Sequence, residues 1–272
     1  MGKAYSGSKE QTIETGSQSA PEAPNYGSNS EQAQTDSMAG LSDTPLLDAA
    51  GLGSPSPLSG APLGLGLLGG LIGCTPSEVE SAVDAAAAQS PRLAADVAKL
   101  RSGGWTFAAG TAGGGTSTNH QSKQIVVDED DLADTAHLTS TIAHEVGHAL
   151  DGPTQYQFDP SMSRQQYIDT NTRIDLEGEA HATIEELEVR EAMLAKDPSN
   201  DPGITGATAT DKIAAWNDYR AGTLSRTQLV DAIVNLFATR EKPSTDGAVA
   251  NYWDYYAMAH ADAWDKSHPP TP

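Results

Sequence analysis

The sequence predicts an α+β fold, predominantly α, with one small antiparallel β-hairpin. Three observations lead there. From residue 76 onward, apolar residues recur at helical spacing in a series of segments divided by Gly- and Pro-bearing loops. Only residues 105–109 and 124–127 have the β-branched and aromatic make-up of strands, and a Gly/Thr/Ser-rich turn at 110–119 separates them. Residues 1–44 are rich in Ser, Gly, Gln, Glu and Pro and poor in large apolar side chains, too poor to offset the entropy of ordering. The expected organisation is a low-complexity segment at 1–74, a folded domain at 75–268 and a tail at 269–272.

Within the first segment, residues 45–73 set leucines such as Leu58, Leu65 and Leu71 among glycines and prolines, which oppose a regular helix. This apolar patch reads as a strap on the domain or a delivery segment, and the sequence does not separate the two. At Pro76 the composition changes. Ser77 and Glu80 have capping-box spacing and open a helix to about Gln89. Pro91 starts another, stopped by Gly103 and Gly104. After the two strands, a helix is expected over residues 134–150, ended by Asp151-Gly152-Pro153. The next returns near Arg164 and is strongest over 173–196. Residues 211–221, 225–241 and 246–264 read as three more helices, with Pro243 dividing the last two.

Composition excludes several functions. There are 16 Lys and Arg against 37 Asp and Glu, a formal charge of −21, so no general basic surface is expected for nucleic acid or an anionic membrane. No run of about 18 apolar residues exists, so no membrane span is expected. The first residues lack an apolar signal-peptide core. Leu71-Ile72-Gly73-Cys74 has the form of a lipoprotein processing box, but no basic region precedes it. Cys74 is the single cysteine, so the fold is expected to hold without an internal disulfide. Gly113-Gly114-Gly115 lacks the Lys-Ser/Thr of a phosphate-binding loop.

The most specific stretch is His144-Glu145-Val146-Gly147-His148. On a helix, His144 and His148 lie one turn apart on one face, able to grip one zinc ion, and Glu145 stands beside them. Glu145 is expected to be the catalytic base that takes a proton from the attacking water and hands it to the leaving nitrogen. The apolar neighbours Ile142, Ala143, Val146, Ala149 and Leu150 imply a largely buried helix, where unpaired imidazoles would be costly. Gly147 costs about 1 kcal/mol in mid-helix, which makes sense where something approaches closely. His137 lies seven residues earlier, roughly 10 Å along the helix and out of reach of a shared ion.

A catalytic zinc usually takes a third protein ligand. Asp151 and Thr154 stand where the three-histidine zinc proteases need Gly and His. The following helix offers Glu177, Glu179 and His181. Its apolar stripe is Leu176, Ala180, Ile184 and Leu187, with Glu177 and His181 along the flank and Glu179 on the polar face. Glu177 is therefore the expected third ligand over Glu179, Gly178 would permit close packing beside it, and His181 would orient a ligand from one turn on.

The motif at 144–148, followed on a later helix by a Glu-x-x-Ala pattern, resembles the glutamate-liganded zincins, the thermolysin-like class of zinc metallopeptidases. His144 to Asp151 also resembles the motif region of the anthrax lethal factor-like toxins. The resemblance implies a zincin-like fold: a small sheet whose edge strand lies above the cleft, an active-site helix, and a second helix giving the glutamate. The hairpin before the motif helix fits the edge strand, to which an extended peptide could add. It also implies a Tyr or His that stabilises the oxyanion, for which Tyr252, Tyr255, Tyr256 and His260 are available. In the thermolysin-like enzymes an Asp follows the ligand Glu by four residues, where this chain has His181.

The expected activity is thus a one-zinc metalloendopeptidase acting on a peptide or protein. Its rivals are an amidase cutting peptidoglycan peptides and a silent module that keeps a structural zinc. The layout resembles type VI-type secreted bacterial toxins, which implies delivery by a specialised secretion system and an immunity protein or secretion component as partner. Without such delivery the chain would be cytoplasmic.

Overall fold

The computed structural model describes residues 74–243 and 249–269. Residues 1–73 of the expected low-complexity segment, with its apolar patch, residues 244–248 and the end of the tail lie outside the described residues. What is described is mostly helical with a small three-stranded mixed sheet.

Helix α1 spans Pro76–Ala87 and α2 spans Pro91–Ser102. The capping box on α1 is Thr75 with Glu78, not Ser77 with Glu80. Pro76 sits in the first turn, where its missing N–H costs nothing, so the helix begins earlier than the Ser77 spacing suggests. Ser90 caps α2 through the backbone N–H of Leu93.

The strands are β1 Thr106–Ala109, β2 Ser117–Asn119 and β3 Gln124–Val127, in the order β1-β3-β2. This corrects the expected hairpin. The two strand-like runs, β1 and β3, pair parallel, and the antiparallel partner of β3 is β2. β2 is only three residues of Ser, Thr and Asn, and its composition reads as turn. Its register puts Thr118 opposite Ile125. The glycine loop before it does hold an anion, but that anion is the chain's own Asp128. The N–H groups of Gly113 and Gly115 donate to its two carboxylate oxygens at 3.0 and 2.7 Å.

Beyond a short 3-10 turn, Glu129–Ala133, lies α3, Thr135–Asp151, with Asp134 as its N-cap. The chain then enters α4, Arg164–Lys196, a single helix of 33 residues and about 50 Å. α5 Ala209–Arg220, α6 Arg226–Thr239 and α7 Tyr252–Ser267 follow.

Helix α4 organises the packing because it is buried on two sides. Leu176, Ala180, Ile184 and Leu187 join Leu229, Ile233, Phe237 and Tyr256 in one core formed with α6 and α7. Val189 and Met193 join a second core with Val83, Leu93, Phe107, Ile125, Ile142 and Val146, formed with α1, α2, the sheet and α3. The two longest-packed helices, α3 and α4, run antiparallel: Ser140 meets Glu186 at one end and Asp151 meets His181 at the other. Gly147 makes their crossing possible. A methyl group there would stand 2.7 Å from the Ala182 Cα, so the close approach expected of this glycine is that of α4. Gly178, by contrast, has nothing within 4 Å, so no close packing depends on it.

Candidate metal site

Helix α3 carries His144, Glu145 and His148 to its contact with α4. The two imidazoles meet edge to face, their centroids 4.9 Å apart. Between them arrives Glu179 of α4. Its Oε2 lies 3.3 Å from His144 Nε2 and 3.6 Å from His148 Nε2. His144, His148 and Glu179 form a group that could hold a metal ion, each offering one ligand atom within 4.8 Å of the others.

The glutamate that converges is therefore Glu179, where Glu177 was expected. Glu177 points outward and pairs with Arg173 at 2.9 Å. The physical reason is the double burial of α4. The apolar stripe of Leu176, Ala180, Ile184 and Leu187 packs against α6 and α7. Toward α3 the helix turns Glu179, Ala182 and Glu186, part of a stripe that reads as a solvated face but is buried. His181, expected to orient a ligand, lies beyond this group. Its Nδ1 meets Asp151 at 2.8 Å, and the ring is 43 % exposed. That carboxylate holds the His181 pKa up. His137 pairs with Asp131, consistent with its exclusion as a ligand.

Further residues surround the group. Thr118, from the unforeseen strand β2, donates its hydroxyl toward the Glu145 carboxylate, with a 2.8 Å contact to Oε2 and one of 2.9 Å to the backbone carbonyl. Tyr256 donates to Glu179 Oε1 at 2.5 Å, so both carboxylate oxygens are engaged. One turn earlier on α4, Asp175 accepts from Tyr156 at 2.8 Å and meets His260 Nε2 at 2.6 Å. Of the four residues considered for the oxyanion, Tyr252 lines the cleft beside His144, Glu145 and Glu179. Tyr256 and His260 are committed to the two α4 carboxylates, and Tyr255 stacks edge-on against Tyr252 and Tyr256. No local pattern marks Thr118 or Tyr256: each arrives from a distant element.

Proton affinities in this cluster follow from burial set against close opposite charge. Burial pulls the His144 pKa down, but the carboxylates of Glu179 and Glu186 outweigh it and hold it up at about 10. Burial pushes Glu179 up, and the two imidazoles more than reverse this, holding it well below the usual carboxylate range. Burial raises Glu145, only partly offset by His148, His144 and Thr118.

The cleft over this group has a volume of about 380 Å³. Gly113, Gly115 and Thr116 form one wall, and Thr205, Gly206 and Phe237 belong to another. Comparison with protein-family profiles, curated proteins and solved structures finds no match.

Proposed function

We infer that the protein is a zinc metallopeptidase of zincin type, hydrolysing peptide bonds with Glu145 as general base. The observation that carries this reading is the convergence of His144, His148 and Glu179 with Glu145 buried alongside, where His144, Glu145 and Glu179 line a cleft. Two imidazoles and one carboxylate are a donor set that suits catalytic zinc. Glu179 Oε2 lies 3.3 and 3.6 Å from the two imidazole nitrogens, and all three donor atoms lie within 4.8 Å of one another, so one ion would be in reach of all three.

Zinc, when bound, supplies Lewis acidity and makes water a better nucleophile near neutral pH. The chain's own residues do the rest. Thr118 holds the Glu145 carboxylate from the side of β2, fixing its orientation. Burial raises the Glu145 pKa, which moves a carboxylate base toward the pH at which it works. Glu145 takes the proton of the attacking water and delivers it to the departing amine nitrogen. Tyr252 lines the same cleft and is the donor offered to a carbonyl oxygen as it acquires charge; burial, then the Glu179, Glu241 and Glu145 carboxylates, raise its pKa, so it stays a hydroxyl donor. β2 is an edge strand of the sheet beside the motif helix, which favours an extended peptide as substrate.

Two measurements test this together: zinc content of the purified protein, and mapping of cleaved peptide bonds for wild type and Glu145→Ala. The expected result is one zinc per chain in both proteins and cleavage by wild type only, with turnover lowered by about 10²–10⁴ in the variant. Absence of bound zinc, or equal cleavage by the variant, overturns the reading. Purified peptidoglycan included beside the protein substrates would show whether the scissile amide belongs to a cell wall instead.

A further inference from the structure

His144 faces two carboxylates, and only one of them can be a ligand. Its Nε2 is turned to Glu179, while its Nδ1 is buried with no partner in hydrogen-bond range. The group it faces is Glu186 Oε2, 3.6 Å away. Glu186 lies on the same α4 stripe, two turns beyond Glu179, and its side chain is fully buried. A buried carboxylate needs donors, and three are provided. Ser140 donates its hydroxyl to Oε1 at 2.5 Å, the Thr205 N–H donates to the same oxygen at 2.6 Å, and the Thr205 hydroxyl donates to Oε2 at 3.1 Å. These hold the carboxylate rigidly, with Oε2 aimed at the imidazole.

We propose that Glu186 is the positioning residue of this site: it receives the Nδ1 proton of His144 in a hydrogen bond, so that Nε2 is left as the metal-binding nitrogen. This rests on the zinc reading above and deepens it. The two ring nitrogens are distinct, and the one that binds metal is set by the bond the other makes. A carboxylate on the far nitrogen also makes the ring a stronger donor. The gap of 3.6 Å closes by a few tenths of an ångström with a small ring rotation, removing an orphaned buried polar atom that would otherwise be costly. Glu186 also couples the ring to the substrate side, because Thr205 and the adjoining Gly206 line the cleft. One side chain thus spans the motif helix, the ligand-bearing helix and a cleft wall.

The test uses the full chain with nitrogen-15-labelled histidine. Long-range proton–nitrogen spectra of the zinc-free protein should show a His144 Nδ1 proton that is shifted downfield and exchanges slowly. In Glu186→Gln the shift should fall back, and in Glu186→Ala the slow exchange should be lost. Competition with a chromophoric chelator should then give zinc affinity about 10–100-fold weaker in Glu186→Ala, with a smaller loss in Glu186→Gln, which keeps an acceptor oxygen. If the wild-type Nδ1 proton exchanges freely, or folded Glu186→Ala binds zinc within about twofold of wild type, the proposal is wrong. Should the alanine variant not fold, the wild-type Nδ1 proton and the glutamine variant still decide. A wild-type protein that binds no zinc would defeat the peptidase reading, while the Nδ1 proton would report on the Glu186 contact regardless.

Discussion

At the scale of single residues, the choice between two glutamates two positions apart carries the most consequence. Glu179 stands between the imidazoles, and Glu177 holds Arg173 at the surface. Glu179→Ala should therefore weaken zinc binding by more than the about 10–100-fold that losing an outer partner costs. Glu177→Ala should leave zinc affinity unchanged and alter stability by less than about 1 kcal/mol, as an exposed pair does. Chelator competition on both variants checks this, and the reverse pattern would restore Glu177 as the ligand. His144, Glu145 and His148 were legible because their chemistry is written in five consecutive residues. The third ligand was not, because the direction in which α4 turns each face depends on what packs against it. A polar stripe of Asp, Glu and Thr reads as solvated until a second helix covers it.

At the scale of elements, most helices could be read from periodicity and caps, since those signals are local. The motif helix, for instance, starts where Asp134 caps it. β2 could not be read, because three residues of Ser, Thr and Asn become a strand only by pairing with β3. The two helical glycines show the same division. Both should cost their helices about 1 kcal/mol relative to alanine, yet the structure gives them opposite roles. At Gly147 an added methyl meets the Ala182 backbone at 2.7 Å, an atom that cannot swing aside. Overpacking of this kind costs about 1–3 kcal/mol and should exceed the propensity gain, so Gly147→Ala should destabilise. At Gly178 the same methyl meets nothing within 4 Å, so Gly178→Ala should stabilise by about 0.5–1 kcal/mol. Urea unfolding of the two variants reads both signs. A gain in stability for Gly147→Ala would mean that α3 and α4 are not held as closely as their contact implies.

At the scale of the whole molecule, the formal charge of −21 means that the fold must manage carboxylates. Several are buried, and each has its own donors. Glu241, just past α6, accepts from the N–H groups of Ala207 and Thr208 at 2.8 and 3.0 Å, from the Thr208 hydroxyl at 2.6 Å, and from Lys212 at 2.8 Å. It thereby fastens the loop on the cleft wall and the start of α5 to the end of α6, and Lys212 is as buried as its partner. Burial by itself would raise the Glu241 pKa, but Lys212 and Thr208 outweigh it and hold it below its ordinary value of 4.5. The sign of the linkage follows. A carboxyl whose pKa is lower in the folded chain binds protons more readily when unfolded, so its contribution is fully present above pH 4.5 and is lost as pH falls through the lowered value. Glu241→Gln leaves Lys212 buried beside an uncharged amide and should cost about 3 kcal/mol near pH 7. As pH falls through the lowered value, the wild-type carboxyl itself becomes protonated, and the difference between the proteins should shrink. Neutralising the many surface carboxylates also changes stability over this range by relieving repulsion. That effect is common to both proteins and cancels in their difference, which is why the comparison and not the acid profile of wild type alone isolates Glu241. Urea unfolding of the pair across this range reads the difference directly. A difference that stayed constant or widened toward acid would show that Glu241 does not carry its charge in the folded chain.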